Sequence, residues 1–205
     1  RIHVMKEAEK RMQLVNNYFI IENAVPDRFC NYILEYGKNL KEKVATIAGA
    51  DEKQKEELEK TRKSNVVWLT EKWLYREIQP LVHEANAQAG WNFQWDNTEP
   101  CQFTKYEGSK KQYYHWHTDS GADVLDNLPM RKISATLILV DRENYKGGDF
   151  EICIPHPEKS KIITIELRKK GTMIFFPSFV WHRVTPVTEG TRCSLVCWNT
   201  GKKFI

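Results

Sequence analysis

No uninterrupted apolar stretch in this chain approaches the roughly 18 residues that a membrane-spanning helix requires, so no membrane span is expected. Cysteine is scarce. There are five in 205 residues, an odd number with no C-x-x-C spacing. Neither a disulfide framework nor a zinc knuckle is indicated, and a reducing setting is expected. No secretory leader is legible, so the expected location is the cytoplasm. A dominant charge is also lacking: 31 Lys and Arg stand against 27 Asp and Glu, for a net charge of +4 and a pI near 8.7. The lysines are dispersed among glutamates. A nucleic-acid binder would show a basic stripe or a basic groove interleaved with aromatics, and neither is present. Aromatic residues, by contrast, are plentiful at 12%, with seven tryptophans, which suits a β-rich core. The length is that of one domain with one sizeable core.

The pattern predicts a helical portion followed by a strand-rich one. Residues 3–15 (HVMKEAEKRMQLV) are charged and read as helix, and YFIIE (18–22) reads as a short strand. Phe29, Ile33, Tyr36 and Leu40 recur at i, i+4, i+7 and i+11, one face of an amphipathic helix. The Lys- and Glu-rich segment 41–63 reads as a solvated helix-loop insertion. A second helix is expected from Thr70, as N-cap, to Gly90 at its C′ position, with Pro80 kinking or splitting it. Beyond Gly90, W-N-F-Q-W alternates with period two. Strand-like runs follow at 100–106, 112–119, 132–141, 149–154, 161–168, 172–176, 180–187 and 191–199, several separated by Gly-containing turns such as Gly147-Gly148. The expected fold is α+β and mainly β: a double-sheet jelly roll with N-terminal helices packed on one sheet. It would form a single domain over residues 1–205, with 1–90 as support and 91–205 as core. The irregular stretch from Ser120 to Pro129 leaves the chain where it could fold over a substrate or simply connect strands.

His117-Thr118-Asp119, followed 65 residues later by His182 and ten after that by Arg192, carries the chemistry. Residues i and i+2 of a strand project from one side, so His117 and Asp119 can reach one ion from one strand end. Two imidazoles and a carboxylate on one face of a metal leave the other face open, the ligand set of non-haem Fe(II) oxygenases. His115 has the same parity as His117, but a fourth protein ligand would close the site, so it is assigned to rim packing. In RCSLVCWNT, Arg192, Ser194, Val196 and Trp198 share one face while Cys193, Leu195 and Cys197 share the other. If Trp198 faces inward, so does Arg192, and a buried guanidinium calls for an anion. A dicarboxylate would satisfy it in bidentate geometry. Two other chemistries use similar donors. A zinc hydrolase would want a glutamate base beside the metal, and none is recognisable. A non-catalytic metal-binding jelly roll would have no need of Arg192.

These motifs, with YEGSKKQYYHWHTD, RKISATLILV, YKGGDFEI and FFPSFVWHRVTPVTEGTR, resemble the Fe(II)/2-oxoglutarate dioxygenases of the prolyl 4-hydroxylase family, over about residues 18–201. The resemblance implies His117, Asp119 and His182 as iron ligands, with Arg192 binding the distal carboxylate of 2-oxoglutarate. It implies Tyr106 and Trp198 in the cosubstrate pocket and Tyr114 near the substrate entrance. Trp116 and Trp181 are candidate substrate contacts. Arg192 stands where collagen-type relatives have lysine, which brings the match closer to the bacterial, phage and oxygen-sensing branches. Ile138 stands where some relatives add a tyrosine to the far carboxylate. The implied reaction is hydroxylation of an unactivated C–H bond with release of succinate and CO2, with ascorbate as a reductant. The implied partner is a proline-containing peptide or protein, the alternative being a free amino acid or another small molecule.

Overall fold

The computed structural model describes residues 16–40, 43–44, 61–120, 129–158 and 161–203. The expected helix at 3–15, most of the 41–63 insertion and residues 121–128 of the stretch beyond Asp119 lie outside them.

Two antiparallel sheets face each other. The larger runs β1 (Phe19–Ile21), β12 (Met173–Pro177), β8 (Met130–Ile138), β14 (Val187–Gly201), β6 (Cys101–Glu107), β4 (Asn65–Leu69) and β2 (Lys43–Val44), with β5 (Asn97–Thr98) and β9 (Tyr145–Gly147) also paired to β14. The smaller runs β11 (Ile162–Ile165), β10 (Phe150–Cys153), β13 (Trp181–Val184), β7 (Tyr113–His117) and β3 (Arg62–Lys63). This is the jelly roll expected from the strand count, with α1 (Asp27–Asn39) and α2 (Lys72–Gln88) packed on the outer face of the larger sheet.

The larger sheet is covered on both faces, which explains its nearly continuous apolar strands. Alternate residues supply two cores. Leu137, Phe175 and Leu195 pack with Ile33, Leu74 and Ile78 of the helices. Ile138, Ile174 and Phe176 pack inward with Phe150, Ile152 and Val184 of the smaller sheet. Gly37 lets α1 lie close to the sheet, because a Cβ there would stand 2.8 Å from the Phe103 ring.

Several expectations need correction. Helix α2 is one continuous element with Pro80 inside it and Glu71, not Thr70, at its N-cap. Burial of Leu74, Ile78, Val82 and Ala85 holds it across the bond that Pro80 cannot donate. Its end is as read, with Gly90 at φ +73. The alternating W-N-F-Q-W is not a strand. Asn92 takes φ 52, and the Asn86 side chain both donates to the Phe93 carbonyl (2.9 Å) and accepts from the Phe93 N–H (3.0 Å). A side-chain amide thus takes the backbone bonds that a sheet neighbour would have made. The N-terminal ninety residues contribute more strands than the one expected at 18–22: that strand, β1, joins β12, but β4 also joins β6, and β3, from the stretch read as an insertion, joins β7.

Candidate metal and cosubstrate site

His117 ends β7, Asp119 follows two residues later, and His182 comes from the adjacent β13, where it sits directly opposite His117. His117 Nε2 lies 3.7 Å from Asp119 Oδ1, and His182 Nε2 lies 3.6 Å from Asp119 Oδ2. All three potential ligand atoms fall within 4.8 Å of one another. The other ring nitrogens are committed elsewhere. Nδ1 of His117 is 2.8 Å from the His115 carbonyl and Nδ1 of His182 is 3.0 Å from the Val180 carbonyl. Donation from each Nδ1–H leaves both Nε2 lone pairs aimed at the same point. Asp119 is held as firmly: Oδ2 accepts from Ser134 Oγ at 2.6 Å, Ser134 contacts Ser178 Oγ at 2.9 Å, and the Asp119 N–H donates to the Ser178 carbonyl at 2.8 Å.

The protonation states suit a cation. Burial, and then the neighbouring His182, hold the His117 imidazole down to about 3. Burial alone would push the Asp119 carboxyl up, but His182, His117 and the Ser134 hydroxyl outweigh it and the net direction is down. A neutral imidazole, as at His117, and an ionised carboxylate, as at Asp119, are forms that bind metal.

Arg192 is 2% exposed and lines the same cavity as these three side chains, as do Ser194, Val196 and Trp198. Cys193, Leu195 and Cys197 lie in the helix-side core, so the alternation read along this strand holds. Arg192 Nη1 donates to Ser194 Oγ at 3.2 Å, its Cζ stands 5.6 Å from the Tyr106 ring centroid, and its buried Nε has no hydrogen-bond partner. A buried guanidinium nitrogen without an acceptor fits an anion. Ile138 is fully buried in the inter-sheet core.

The simple parity of β7 fails at one point. His182 opposes His117 but Val184 opposes Tyr114, so two residues of β7, His115 and Trp116, face the single Arg183. This bulge turns Tyr114 to the metal side, where its ring stacks on His117 with centroids 3.5 Å apart and planes 12° apart. Burial pushes the Tyr114 phenol up to about 12, with Arg62, 4.5 Å over its ring, opposing. His115 becomes exposed and contributes its carbonyl. Trp116 and Trp181 are not brought to the cavity. Trp116 lies under Arg183 and Trp181 meets His156, both on the opposite face of the smaller sheet from His182.

The sequence reading did not single out Arg62, Gln102, Thr104 or Thr136, all of which line the cavity. Period-two counting back from Tyr106 would have found Thr104 and Gln102; nothing local announces Arg62, which arrives through the pairing of β3 with β7. A shallow hollow of about 130 Å³ continues outward from Asp119 and Tyr114, lined by Arg62, Trp68, Arg131 and Trp198. Trp68 is 47% exposed there, and Arg131 forks onto Glu99 at 2.7 and 2.6 Å while lying 4.1 Å over Trp198.

Residues 101–200, which contain His117, Asp119, His182 and Arg192, match the 2OG-Fe(II) oxygenase superfamily model. The chain carries a 2OG-Fe(II) oxygenase domain. A PKHD-type hydroxylase of Janthinobacterium sp. (strain Marseille) is 32% identical to it over 102 residues, 48% of this chain and 42% of the relative. A PKHD-type hydroxylase of Rippkaea orientalis is 35% identical over 96 residues, 47% of this chain and 40% of the relative. The matched stretch therefore spans less than half the length of these curated relatives. The fold of the oxygenase domain and its helices is shared with a Pseudomonas putida prolyl-4-hydroxylase (TM-score 0.68, 18% identity, 91% of this chain and 94% of the other). It is shared equally with a Trichoplax adhaerens prolyl hydroxylase solved with a hypoxia inducible factor peptide (TM-score 0.66, 17% identity, 98% and 93%). The family's cofactors are Fe(II) and 2-oxoglutarate, and the donor set together with the unpartnered Arg192 Nε fits both.

Proposed function

We propose that this chain is an Fe(II)- and 2-oxoglutarate-dependent hydroxylase that acts on a prolyl residue in an extended peptide or protein segment. The observation that carries the reading is the buried, partly unsatisfied Arg192 in the same cavity as His117, Asp119 and His182. A metal-binding module would gain nothing from that arginine. Bound together, Fe(II) and 2-oxoglutarate supply oxygen activation, with succinate and CO2 as coproducts and ascorbate as a supporting reductant.

The chain's own side chains hold, orient and exclude water. Nε2 of His117, Nε2 of His182 and the Asp119 carboxylate hold the metal. Ser134 and the two backbone carbonyls fix the direction of those ligands. Arg192 grips the far carboxylate, with Ser194 and Tyr106 beside it and Trp198 walling the pocket. Tyr114 covers one face of His117 toward the entrance. Support for a peptide comes from the outer hollow, where the exposed Trp68 indole offers a flat apolar face for a proline ring and Arg62 and Arg131 flank it. The Trichoplax relative was solved with a peptide fragment, which agrees with this reading.

Anaerobic visible absorption of the Fe(II)-loaded chain on adding 2-oxoglutarate is the test, followed by mass spectrometry of proline-containing peptides. A charge-transfer band and one added oxygen on a prolyl residue are expected. A band without any oxidised peptide would point to a free amino acid or another small molecule. No band with metal bound would leave a non-catalytic module.

A further inference from the structure

Arg62 stands at the junction of two cavities. It lines the inner one, with His117, Asp119 and His182, and also the outer hollow that opens beside Trp68. Two neutral acceptors pin its guanidinium: Nε donates to Ser64 Oγ at 2.9 Å and Nη2 donates to Gln102 Oε1 at 2.5 Å. Its Cζ lies 4.5 Å over the Tyr114 ring, which in turn stacks on His117. None of these partners is an anion, and among the described residues no carboxylate pairs with Arg62. Arg131 differs, because its fork is closed on Glu99 at 2.7 and 2.6 Å and its charge is balanced there. Asp119 is the one carboxylate among the described residues lining either cavity, and it is a candidate metal ligand. Acceptors are equally scarce. Gln102 Oε1 already receives both Arg62 and the Thr104 hydroxyl, while the buried Nε1 of Trp198, a residue lining both cavities, has no acceptor at all. The junction thus carries donors and one unbalanced positive charge, the complement of a carboxylate.

We propose that Arg62 selects a peptide carrying an acidic side chain two positions from the residue that is hydroxylated. The inference rests on the prolyl-peptide reading given above and narrows it to an acidic segment. In an extended peptide, residues i and i+2 project from the same side and lie roughly 6.5 Å apart along the chain. On the protein, the Tyr114 ring stands between the guanidinium and His117, through contacts of 4.5 and 3.5 Å. A target side chain entering the inner cavity therefore brings the side chain two residues away over Arg62, on the far side of that ring. An aspartate there accepts from the guanidinium N–H groups that Ser64 and Gln102 leave unused. A lysine at the same position meets a like charge and is rejected.

The test uses two sets of three peptides, each with one prolyl residue among glycines and serines. One set carries Asp, Asn or Lys two positions before the proline, and the other carries them two positions after it. Anaerobic isothermal titration of the full chain loaded with Fe(II) and 2-oxoglutarate reads the six Kd values. In one set the Asp peptide should bind about tenfold more tightly than its Asn isostere, with the Lys peptide weaker still. Arg62→Gln should erase the difference between Asp and Asn, and Arg62→Glu should turn the preference toward Lys. Metal affinity of Arg62→Gln, read by competition with a chelating dye, should match the parent. Equal affinities of Asp, Asn and Lys peptides in both sets would overturn the acidic contact and leave the prolyl reading standing. An Asp preference that survives Arg62→Gln, or metal affinity lost in that variant, would overturn it too and leave Arg62 as a support of the Tyr114 stack. Failure of every peptide to bind would overturn the prolyl-peptide reading itself, and the acidic contact with it.

Discussion

Tyr114 lies flat on the His117 imidazole, with ring centroids 3.5 Å apart and planes 12° apart, although the two are three positions apart on one strand. Ideal alternation would put residues i and i+3 on opposite faces. The extra residue of the β7 bulge reverses this and gives His117, one of the three candidate metal ligands, an aromatic wall that limits its rotation. Arg62 sits on the outer face of the same ring.

Tyr114→Phe keeps the stacked ring and should leave metal affinity close to that of the parent. Tyr114→Ala frees the His117 ring and should weaken metal binding by about tenfold. Competition with a chelating dye measures both; equal loss in the two variants would assign the effect to the hydroxyl rather than the stack.

Ser134→Ala removes the 2.6 Å hydrogen bond to Asp119 Oδ2 without touching either histidine. Metal affinity should fall by roughly 10- to 100-fold, as is usual when a residue supporting a ligand is lost. The unfolding midpoint of the metal-loaded chain should fall with it, and an unchanged affinity would show that Asp119 needs no such support.

Arg192→Ala should spare metal binding and raise the 2-oxoglutarate Kd about a hundredfold, the loss expected when charge-assisted bonds worth about 3 kcal/mol disappear. Arg192→Lys should restore only part, since an ammonium lacks the planar fork. Isothermal titration of metal and cosubstrate separately distinguishes this outcome from general damage to the fold.

The metal-free chain should lose stability on mild acidification. The His117 imidazole, ordinarily near 6.5, is held to about 3 in the folded state, chiefly by burial and then by His182. Below pH 6.5 the unfolded chain takes up a proton that the folded chain refuses. Its stabilising balance is therefore full above that value and is lost as pH falls toward 3, with a slope of at most about 1.4 kcal/mol per pH unit from this group. Denaturant unfolding between about pH 7 and 5 reads the slope, and saturating metal, which likewise keeps the folded-state imidazole unprotonated, should raise stability without flattening it.

Much of the site was legible along the chain because its chemistry is written in short-range spacing. The pair His117 and Asp119, and the alternation of Arg192, Ser194, Val196 and Trp198 against Cys193, Leu195 and Cys197, depend only on the two-residue period of a strand. The apolar stripe of α1 follows likewise from the helical period. These features determined the mainly β fold class, the shared strand end of His117 and Asp119, and the inward face on which Arg192 lies.

Tertiary structure decided the rest, because it depends on which backbone groups find which partners. Asn86 captured the backbone of Phe93 and kept W-N-F-Q-W from becoming a strand. One extra residue in β7 brought Tyr114 inward, and the smaller sheet left Trp116 and Trp181 on its other face. Arg62 and Trp68 come to the cavity mouth from β3 and β4, strands whose partners lie some thirty to fifty residues further along the chain. Periodicity fixes the face on which a side chain lies; only long-range pairing fixes what that face meets.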